Sequence, residues 1–537
     1  MKEYDFSRDI DQWEEETIEV DENIEPCCSL YHTKVLTKAQ ATKRTGFNEA
    51  MEREIKKFET FEAFRKVKDE GQPIIKTRWV YSEGDIIKGE ELKARLCMRG
   101  DTEPTVDTIR ADSPTANKDI LKLGLAIAGN ENFNLLSGDI KSAFLQGQSL
   151  NRKVYVLPPP EAHEVGNLWL LEKGAYGLID GSRLFFLEFK KVLESLGMKA
   201  LSGDSAFFTC HKDGKFIGFV CIHVDDLLLC GNSLFESLIV GHLMKKFKFS
   251  KMEKEKFTYL GCRIEKLRNG DIKLNQNEYI EKIKDVILPS RTNDCKVSDT
   301  EKREIRRVVG ELLWVSMMTR PDIAFEVNQL SSKISDATVR DLKDAKWLVE
   351  KVKSEPLALN FTRVGKQEDL RIKLYTDASY NNQDSKMRST EGRVLMMESR
   401  RSSKTNIFSW KTKKISRVCR SVKGAETRAL ENGLDEAIHF ARMMKEIFDG
   451  KVELKNPKQV EVVALTDTKG LWDNLNNSRQ CEEKLLPNSV ALIKEMLEKN
   501  EVKSVKWVET EEMLADVLTK RGGNSGWIRE ILTNNEM

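Results

Sequence analysis

At 537 residues the chain is too long for one hydrophobic core and points to several domains, while 32% charged and 40% hydrophobic residues describe an ordinary soluble protein. No apolar run reaches membrane-spanning length, and the start, MKEYDFSRDIDQWEEE, is acidic without an apolar h-region, so the expectation is a chain that is not exported and works in a reducing compartment, the cytoplasm. The 10 scattered cysteines contain no C-x-x-C pair, which argues against a disulfide framework or a zinc ribbon, and a net charge of +2 leaves nucleic-acid binding to local basic runs such as Lys245-Lys246-Phe247-Lys248 and Lys411-Thr412-Lys413-Lys414.

In chain order, residues 1–44 are acidic, lack sustained periodicity and read as disordered. Phe47, Ala50, Met51, Ile55, Phe58 and Phe61 then recur near the helical period and predict an amphipathic helix. From Ile74 to Gly100, two β-rich runs flank Glu83-Gly84-Asp85, and Lys76, Arg78, Lys93, Arg95 and Arg99 alternate with apolar side chains. A hairpin with one cationic face, suited to a triphosphate or a template backbone, is expected there. Ser113-Pro114-Thr115 enters a helix carrying Ile120, Leu121, Leu123, Leu125 and Ala128, and an apolar strand follows that ends at Asp139, with Phe144 just beyond.

The run FIGFVCIHVDDLLLCGN, Phe216 to Asn232, is the centre of the chain: a buried strand, a tight turn at Asp225 and Asp226, and a returning strand. Adjacent carboxylates on an apolar hairpin repel each other and lose hydration, costing several kcal/mol unless a cation such as Mg²⁺ is bound; the alternative is a solvent-exposed Asp-Asp turn. Glu278 to Glu355 is predicted helical, with the rows Ile280, Ile283, Ile287 and Val309, Leu312, Leu313, Val315, and with Trp314 and Trp347 in the core. The polar stretch Asn360 to Asp369 reads as a linker. Beyond it, LYTDAS places Asp377 on a strand and VVALTD ends a strand at Asp467. Glu426 starts a helix whose Ala425, Ala429, Gly433 and Ala437 form a small packing stripe, and EEMLADVLTK places Asp516 on another helix.

D-I-K-S-A-F-L-Q-G (Asp139 to Gly147), V-Y-V-L-P-P-P (Val154 to Pro160), A-Y-G-L (Ala175 to Leu178) and H-V-D-D (His223 to Asp226) stand in the order and spacing of a copia-type reverse transcriptase. K-A-R-L-x-x-R-G (Lys93 to Gly100), Y-L-G (Tyr259 to Gly261), V-G-E-L-L-W (Val309 to Trp314), T-R-P-D-I-A-F-x-V-N-Q-L (Thr319 to Leu330) and A-D-V-L-T-K (Ala515 to Lys520) extend the likeness. The chain thus resembles the polymerase and ribonuclease H portion of a copia-like LTR-retrotransposon polyprotein over residues 45 to 522. The resemblance implies an α+β and α/β multidomain fold, a right-hand polymerase of fingers, palm and thumb followed by a ribonuclease H-like α/β domain. The expected divisions are 45–280 for fingers and palm, 281–355 for a helical thumb and connection, 356–371 for the linker, 372–522 for the ribonuclease H-like domain and 523–537 for a tail.

It also implies metal ligands and catalytic residues: Asp139, Asp225 and Asp226 in the palm, and Asp377, Glu426, Asp467 and Asp516 in the ribonuclease H domain, each set holding two Mg²⁺, with Mn²⁺ as a substitute. Phosphoryl transfer uses such paired cations at the attacking and leaving oxygens. Lys93 and Arg95 match fingers positions near the triphosphate, Phe144 the bulky residue beneath the sugar, and Leu260 and Gly261 the primer-gripping hairpin. His223 stands where most of the family carries Tyr and is taken to contact the primer end. The Gln usual after Tyr176-Gly177-Leu178 is missing, leaving Arg183 as the substitute contact. Arg393, Lys411, Lys413 and Lys414 are the expected hybrid-binding cations, from charge alone. The implied partners are an RNA template, a DNA primer, dNTPs and an RNA–DNA hybrid, within cytoplasmic retroelement particles. The competing reading is a silent or host-adopted remnant that binds nucleic acid without turnover; all seven carboxylates in an open frame favour competence. A regulatory ATPase is disfavoured, because no G-x-x-x-x-G-K-[ST] occurs.

Overall fold

A computed structural model describes residues 34–42, 44, 46–83, 92–104, 106–380, 388–451, 459–476, 487–523 and 525–537; the first 33 residues of the acidic segment and the turn residues Gly84 and Asp85 lie outside the described residues. The chain divides into two units, the residues up to 54 with 79–96, and 55–78 with 97–537. In the smaller unit the strand Lys34–Leu36 pairs antiparallel with Thr77–Glu83, Leu36 opposite Tyr81, and Leu92–Met98 completes the sheet. Residues 34–42 are thus a strand and a short helix, not the disordered segment expected, because Leu36 and Ala41 bury themselves with Phe47, Met51 and Tyr81. Period-two alternation holds on the last strand: Lys93 and Arg95 are exposed, Ala94 and Leu96 buried.

The larger unit is organised by a six-stranded sheet in the order Phe249–Lys254, Asn134–Ile140, Asp226–Gly231, Lys215–His223, Phe207–Lys212, Lys199–Ala200. Its central hairpin is buried on both faces. Val220, Ile222, Leu227 and Leu229 pack with Phe185, Phe186 and Phe189 of the helix Gly181–Ser195. Phe219, Cys221, Leu228 and Cys230 point the other way, into a core shared with the helix Lys118–Asn130. Cover on two sides is why these strands are continuously apolar rather than alternating.

The helices Asp299–Met318, Ala324–Ser332 and Val339–Ser354 form a bundle around Val308, Leu312, Leu342, Leu348 and Val349. The helical row expected through Ile287 breaks off: the helix Asn277–Glu281 is short, and Ile287 is 86% exposed. Trp347, expected in the core, is 41% exposed. Arg320 and Asp322 of the T-R-P-D motif are fully buried as an ion pair at 2.8 Å, and Arg320 Nη1 donates to the Glu355 carbonyl at 2.9 Å, so the motif ties one helix end to another.

The last sheet runs Thr405–Lys414, Thr390–Ser399, Leu370–Ser379, Glu461–Thr466, Ser504–Trp507; the first three strands are antiparallel and the last two run parallel to Leu370–Ser379. The long helix Val422–Asp449 covers it. This is the ribonuclease H-like α/β fold expected after the polymerase.

The stretch expected as a linker is structural. Ala358–Phe361 is a strand paired with Ile272–Asn275, with Leu359 and Phe361 fully buried. Asn130 Oδ1 accepts from the backbone N–H groups of Val364 at 3.0 Å and Gly365 at 3.1 Å, and Thr362 exchanges two 2.9 Å hydrogen bonds with the Asn406 side chain. The expected tail is also structural: the helix Ser525–Asn534 buries Ile528, Ile531 and Leu532, and Asn535 Nδ2 donates to the carbonyls of Asn360 at 2.6 Å and Thr405 at 3.0 Å. Residues from Lys118–Asn130, from the last sheet and from the long helix consequently share one continuous hydrophobic core.

Where these parts meet, Lys122 is fully buried. Its Nζ lies 3.5 Å from the centroid of the Trp410 ring, donates to the Met317 carbonyl at 2.8 Å and pairs with Asp119 at 3.1 Å, while Trp410 Nε1 donates to the Ser316 carbonyl at 2.7 Å. Trp410→Ala is expected to cost about 3–5 kcal/mol, and the larger unit is expected to unfold in one calorimetric transition. A separate transition for residues 370–537 would contradict the shared core. Burial pushes the Lys122 ammonium down to about 8 from 10.5, against the pull of Asp119. A base whose folded pKa is depressed loses stability as pH falls through the folded value. The protein is therefore expected to gain stability relative to Lys122→Met between about pH 8 and 10.5, read by urea unfolding.

Candidate active sites

Strand register builds the palm site. Asp139 ends Asn134–Ile140 and Asp226 begins Asp226–Gly231; they sit directly opposite each other, with His223 the cross-strand partner of Asp226 on its other side. The backbone N–H of Ile140 donates to the Asp225 carbonyl at 3.2 Å, fixing the turn against the Asp139 strand. That turn has two residues, Val224 and Asp225, and Val224 has φ +56°. A β-branched residue in the left-handed region costs on the order of 1–3 kcal/mol, so strain is concentrated at the carboxylates. Asp139 is exposed and its carboxylate accepts from Ser250 Oγ, a contact that no motif marked. Burial lowers the His223 pKa and keeps the ring neutral at pH 7; its Nδ1 is buried without a hydrogen-bond partner.

Phe144 is half-buried, its ring 4.8 Å from that of Tyr176 in the A-Y-G-L motif. Leu260 and Gly261, at φ +51° and +71°, form the two-residue turn between Lys256–Tyr259 and Cys262–Lys266, the left-handed pair that matches strand twist in a tight hairpin. Arg183 is held elsewhere. Its Nη1 donates to the Asp112 carboxylate at 2.7 Å and to the Asp112 carbonyl at 2.9 Å, so it secures the start of its helix instead of offering the substitute nucleotide contact.

The second site is set by close approach of helix to sheet. The small stripe Ala425, Ala429, Gly433, Ala437 is buried, and a Cβ on Gly433 would lie 2.7 Å from Thr376 Cγ2, so only glycine lets the helix come this near. Glu426 is thereby brought to Asp377, which is 1% exposed, and Glu426 Oε1 accepts from the Ala378 backbone N–H at 3.1 Å. Asp377, Glu426 and Asp467 place ligand oxygens within 4.8 Å of one another, and among the described residues no other three His, Cys, Asp or Glu residues do so. The palm carboxylates lie at one end of the sheet, on and beside two interior strands, and are not such a trio.

Burial raises the Glu426 carboxyl well above its ordinary range, reinforced by the charges of Asp377 and Asp467; burial likewise pushes Asp377 up to about 6. Glu426 Oε2 is buried with no hydrogen-bond partner. An orphaned carboxylate oxygen inside a hard-oxygen trio fits a divalent cation. Asp467 is positioned by Thr510 Oγ1, 3.2 Å from its Oδ2, and by Trp507 Nε1, which donates to its carbonyl at 2.9 Å. Asp516 lies outside the trio and is ion-paired with Lys520, while Thr519 Oγ1 donates to Asp377. Thr519 and Lys520 had no assigned role in the sequence, although the four-residue step from Asp516 to Lys520 signals an adjacent pair on a helical turn.

Of the expected hybrid-binding cations, Lys411 and Lys413 are exposed on one face of their strand and Lys414 is half-buried, but Arg393 is buried at 7% exposure and ion-paired with Glu391 and Glu436. It serves the core of the domain, because its carboxylate partners on the strand and on the long helix already neutralise it.

Residues 59–298 match the family described as reverse transcriptase (RNA-dependent DNA polymerase). The chain is 26% identical over 480 residues to the retrovirus-related Pol polyprotein from transposon RE1 of Arabidopsis thaliana, covering 83% of this chain and 31% of that protein. It is 25% identical over 506 residues to the corresponding polyprotein from transposon TNT 1-94 of Nicotiana tabacum, covering 88% of this chain and 36% of that protein. The chain thus spans about a third of the length of these relatives. In fold it is similar to the foamy viral protease-reverse transcriptase dRH solved in complex with double-stranded DNA, with a TM-score of 0.52 at 12% identity, over 86% of this chain and 69% of that one. These matches bear out the copia-type resemblance carried by the motifs.

Because a cation must displace the proton from Asp377, divalent-metal affinity at this trio is expected to fall steeply as pH drops through about 6. Calorimetric titration with Mn²⁺ at pH 5 and pH 7.5 checks this, and equal affinities would show that Asp377 is not a ligand.

Proposed function

We propose that this chain, whose reverse transcriptase segment is of the copia type, is an RNA-directed DNA polymerase with an associated ribonuclease H. It extends a DNA primer with dNTPs on an RNA template and degrades the RNA of the resulting RNA–DNA hybrid, in cytoplasmic retroelement particles. The observation that carries this reading is the convergence of Asp377, Glu426 and Asp467, with an orphaned Glu426 oxygen, in a chain whose Asp139 and Asp226 face each other across adjacent strands. That arrangement favours turnover over a silent remnant, since carboxylates buried together cost stability and serve only a cation.

When bound, Mg²⁺, two ions per centre, would supply charge neutralisation for phosphoryl transfer. In the palm, Asp139, Asp225 and Asp226 would be the ligands, with Ser250 orienting Asp139. Phe144, braced by Tyr176, is the floor beneath the incoming sugar, and the neutral His223 offers its unpartnered Nδ1 to the primer end. The Leu260–Gly261 turn bears on the primer strand. On the smaller unit, the exposed Lys93 and Arg95 are the cations that face phosphate. In the ribonuclease H centre, Asp377, Glu426 and Asp467, with Asp516 beside them, would hold the ions, and Lys411 and Lys413 would meet the hybrid backbone.

Poly(rA)/oligo(dT) with dTTP and Mg²⁺ tests the first activity, and a labelled RNA–DNA hybrid tests the second. Asp226→Asn is expected to lower primer extension at least about a hundredfold, corresponding to about 3 kcal/mol of transition-state stabilisation, with hybrid cleavage retained. Glu426→Gln should do the reverse. Extension by Asp226→Asn within tenfold of the parent would refute the polymerase assignment. Phe144→Val is expected to raise ribonucleotide incorporation relative to deoxyribonucleotide incorporation. An unchanged ratio would make Phe144 a packing residue only.

A further inference from the structure

The stretch after Tyr176-Gly177-Leu178, where the Gln usual in the family is missing, reads Ile179-Asp180-Gly181, and Arg183 does not stand in for it. Asp180 is buried just ahead of the helix Gly181–Ser195. Arg152 binds it: Nη1 donates to Asp180 Oδ2 at 2.6 Å and Nη2 to Oδ1 at 3.2 Å. The same guanidinium grips Glu103, with Nε donating to Oε1 at 2.5 Å and Nη2 to Oε2 at 2.9 Å. The side chains of Arg152, Glu103 and Asp180 are only 19%, 6% and 9% exposed, so water screens these contacts little. One planar fork thus ties together carboxylates from two distant segments, a geometry that an ammonium cannot reproduce.

Those two segments bear the wall of the candidate sugar site. On the Glu103 side, the Glu103 backbone N–H donates to the Gly100 carbonyl at 3.2 Å, and the chain from Met98 to Gly100 lies directly on the A-Y-G-L turn. The Met98 N–H donates to the Tyr176 carbonyl at 2.7 Å, and a Cβ on Gly100 would come 2.5 Å from the Gly177 carbonyl oxygen. On the Asp180 side, the start of the helix receives the Phe144 segment. The Gln148 N–H donates to the Leu184 carbonyl at 3.1 Å, and a Cβ on Gly147 would stand 2.8 Å from the Phe185 nitrogen. The Phe144 and Tyr176 rings, 4.8 Å apart, are therefore carried by closely apposed backbones whose spacing the Arg152 bridge sets.

We infer that Arg152 is a positioning residue for sugar discrimination: by clamping Glu103 to Asp180 it fixes the spacing of Tyr176 and Phe144, and with it the room left for a 2′-hydroxyl on an incoming nucleotide. This rests on the polymerase reading above, in which Phe144 is the floor beneath the sugar, and adds to it a residue that no motif marked. Asp180 thereby belongs to the scaffold of the pocket and not to its nucleotide contacts.

The test is steady-state primer extension by the full chain on poly(rA)/oligo(dT) with dTTP or UTP and Mg²⁺. Arg152→Lys keeps the charge but not the fork. Arg152→Met combined with Glu103→Gln and Asp180→Asn removes the clamp without leaving a buried carboxylate unpaired. Both are expected to raise the UTP-to-dTTP ratio of kcat/KM at least about fivefold, chiefly through the KM for UTP, with kcat for dTTP held within about twofold. Hybrid cleavage by the same chains should be unchanged, which establishes that the larger unit is folded. In a Phe144→Val background the same substitutions should add nothing, because residues acting through one another are not additive. An unchanged ratio in a variant that still cleaves hybrid, or a gain that adds in full to that of Phe144→Val, overturns the role of Arg152. Loss of extension and cleavage together in both variants makes the clamp a general stabiliser and overturns it as well. If Phe144→Val alone leaves the ratio unaltered in an otherwise active parent, the floor assignment fails, and the inference with it.

Discussion

The larger unit depends on apolar burial that ignores the boundary between the palm sheet and the ribonuclease H-like sheet. The helix Lys118–Asn130 supports the palm hairpin through Phe219 and Leu228, and it belongs to the same core as the ribonuclease H-like sheet and the long helix behind it. Burying a large side chain stabilises by about 1.5–3 kcal/mol, so the many residues in this core outweigh any single polar contact at the junction. The polar contacts instead fix the register of the parts. Lys122 and Trp410 both donate to carbonyls at the C-terminal end of Asp299–Met318, where a helix leaves its last carbonyls unsatisfied. Two donors from different parts of the unit thus satisfy one helix end, and a buried ammonium is retained only because Asp119, a carbonyl and an aromatic face surround it.

On this frame the two carboxylate sites are made by different means. In the palm, antiparallel register sets Asp139 opposite Asp226, and a strained two-residue turn adds Asp225; Asp139 is exposed and the other two are half-buried. In the ribonuclease H-like domain, a stripe of small residues lets a helix approach the sheet closely, and the carboxylates meet in a dry interior. Burial and mutual repulsion there raise the affinity for protons, and the same terms favour a multivalent cation over none. The palm site is thus organised chiefly by backbone geometry, and the site in the last domain chiefly by electrostatic compensation, part of which the protein provides itself through Lys520 and Thr519.

The basic side chains sort along the same lines. Arg393 and Arg183 looked in the sequence like cations for nucleic acid, yet each is held by a carboxylate of its own neighbourhood. Lys411 and Lys413 alternate along the edge strand of their sheet and remain outward-facing. Charge count alone does not separate these cases, because the partner carboxylates are distant in sequence: Arg183 meets Asp112 and Arg393 meets Glu436.

Sequence alone determined the elements whose information is local. The apolar hairpin with Asp225 and Asp226, the strand ending at Asp139, the helix from Phe47, the small stripe beside Glu426 and the order of the seven carboxylates were all legible, since periodicity and motif spacing are properties of neighbouring residues. Tertiary structure decided what depends on distant partners. Asn360 to Asp369 has the composition of a linker, but Leu359, Phe361 and Val364 find a core made by other segments, and Asn130 and Asn406 satisfy the backbone between them. The C-terminal residues likewise read as a tail in the sequence because the core that Ile528 and Leu532 join is made by strands far upstream. Whether a polar stretch is a tether or a wall, and whether a basic residue faces solvent or an internal carboxylate, is fixed by the surface it meets, and that surface exists only once the chain has folded.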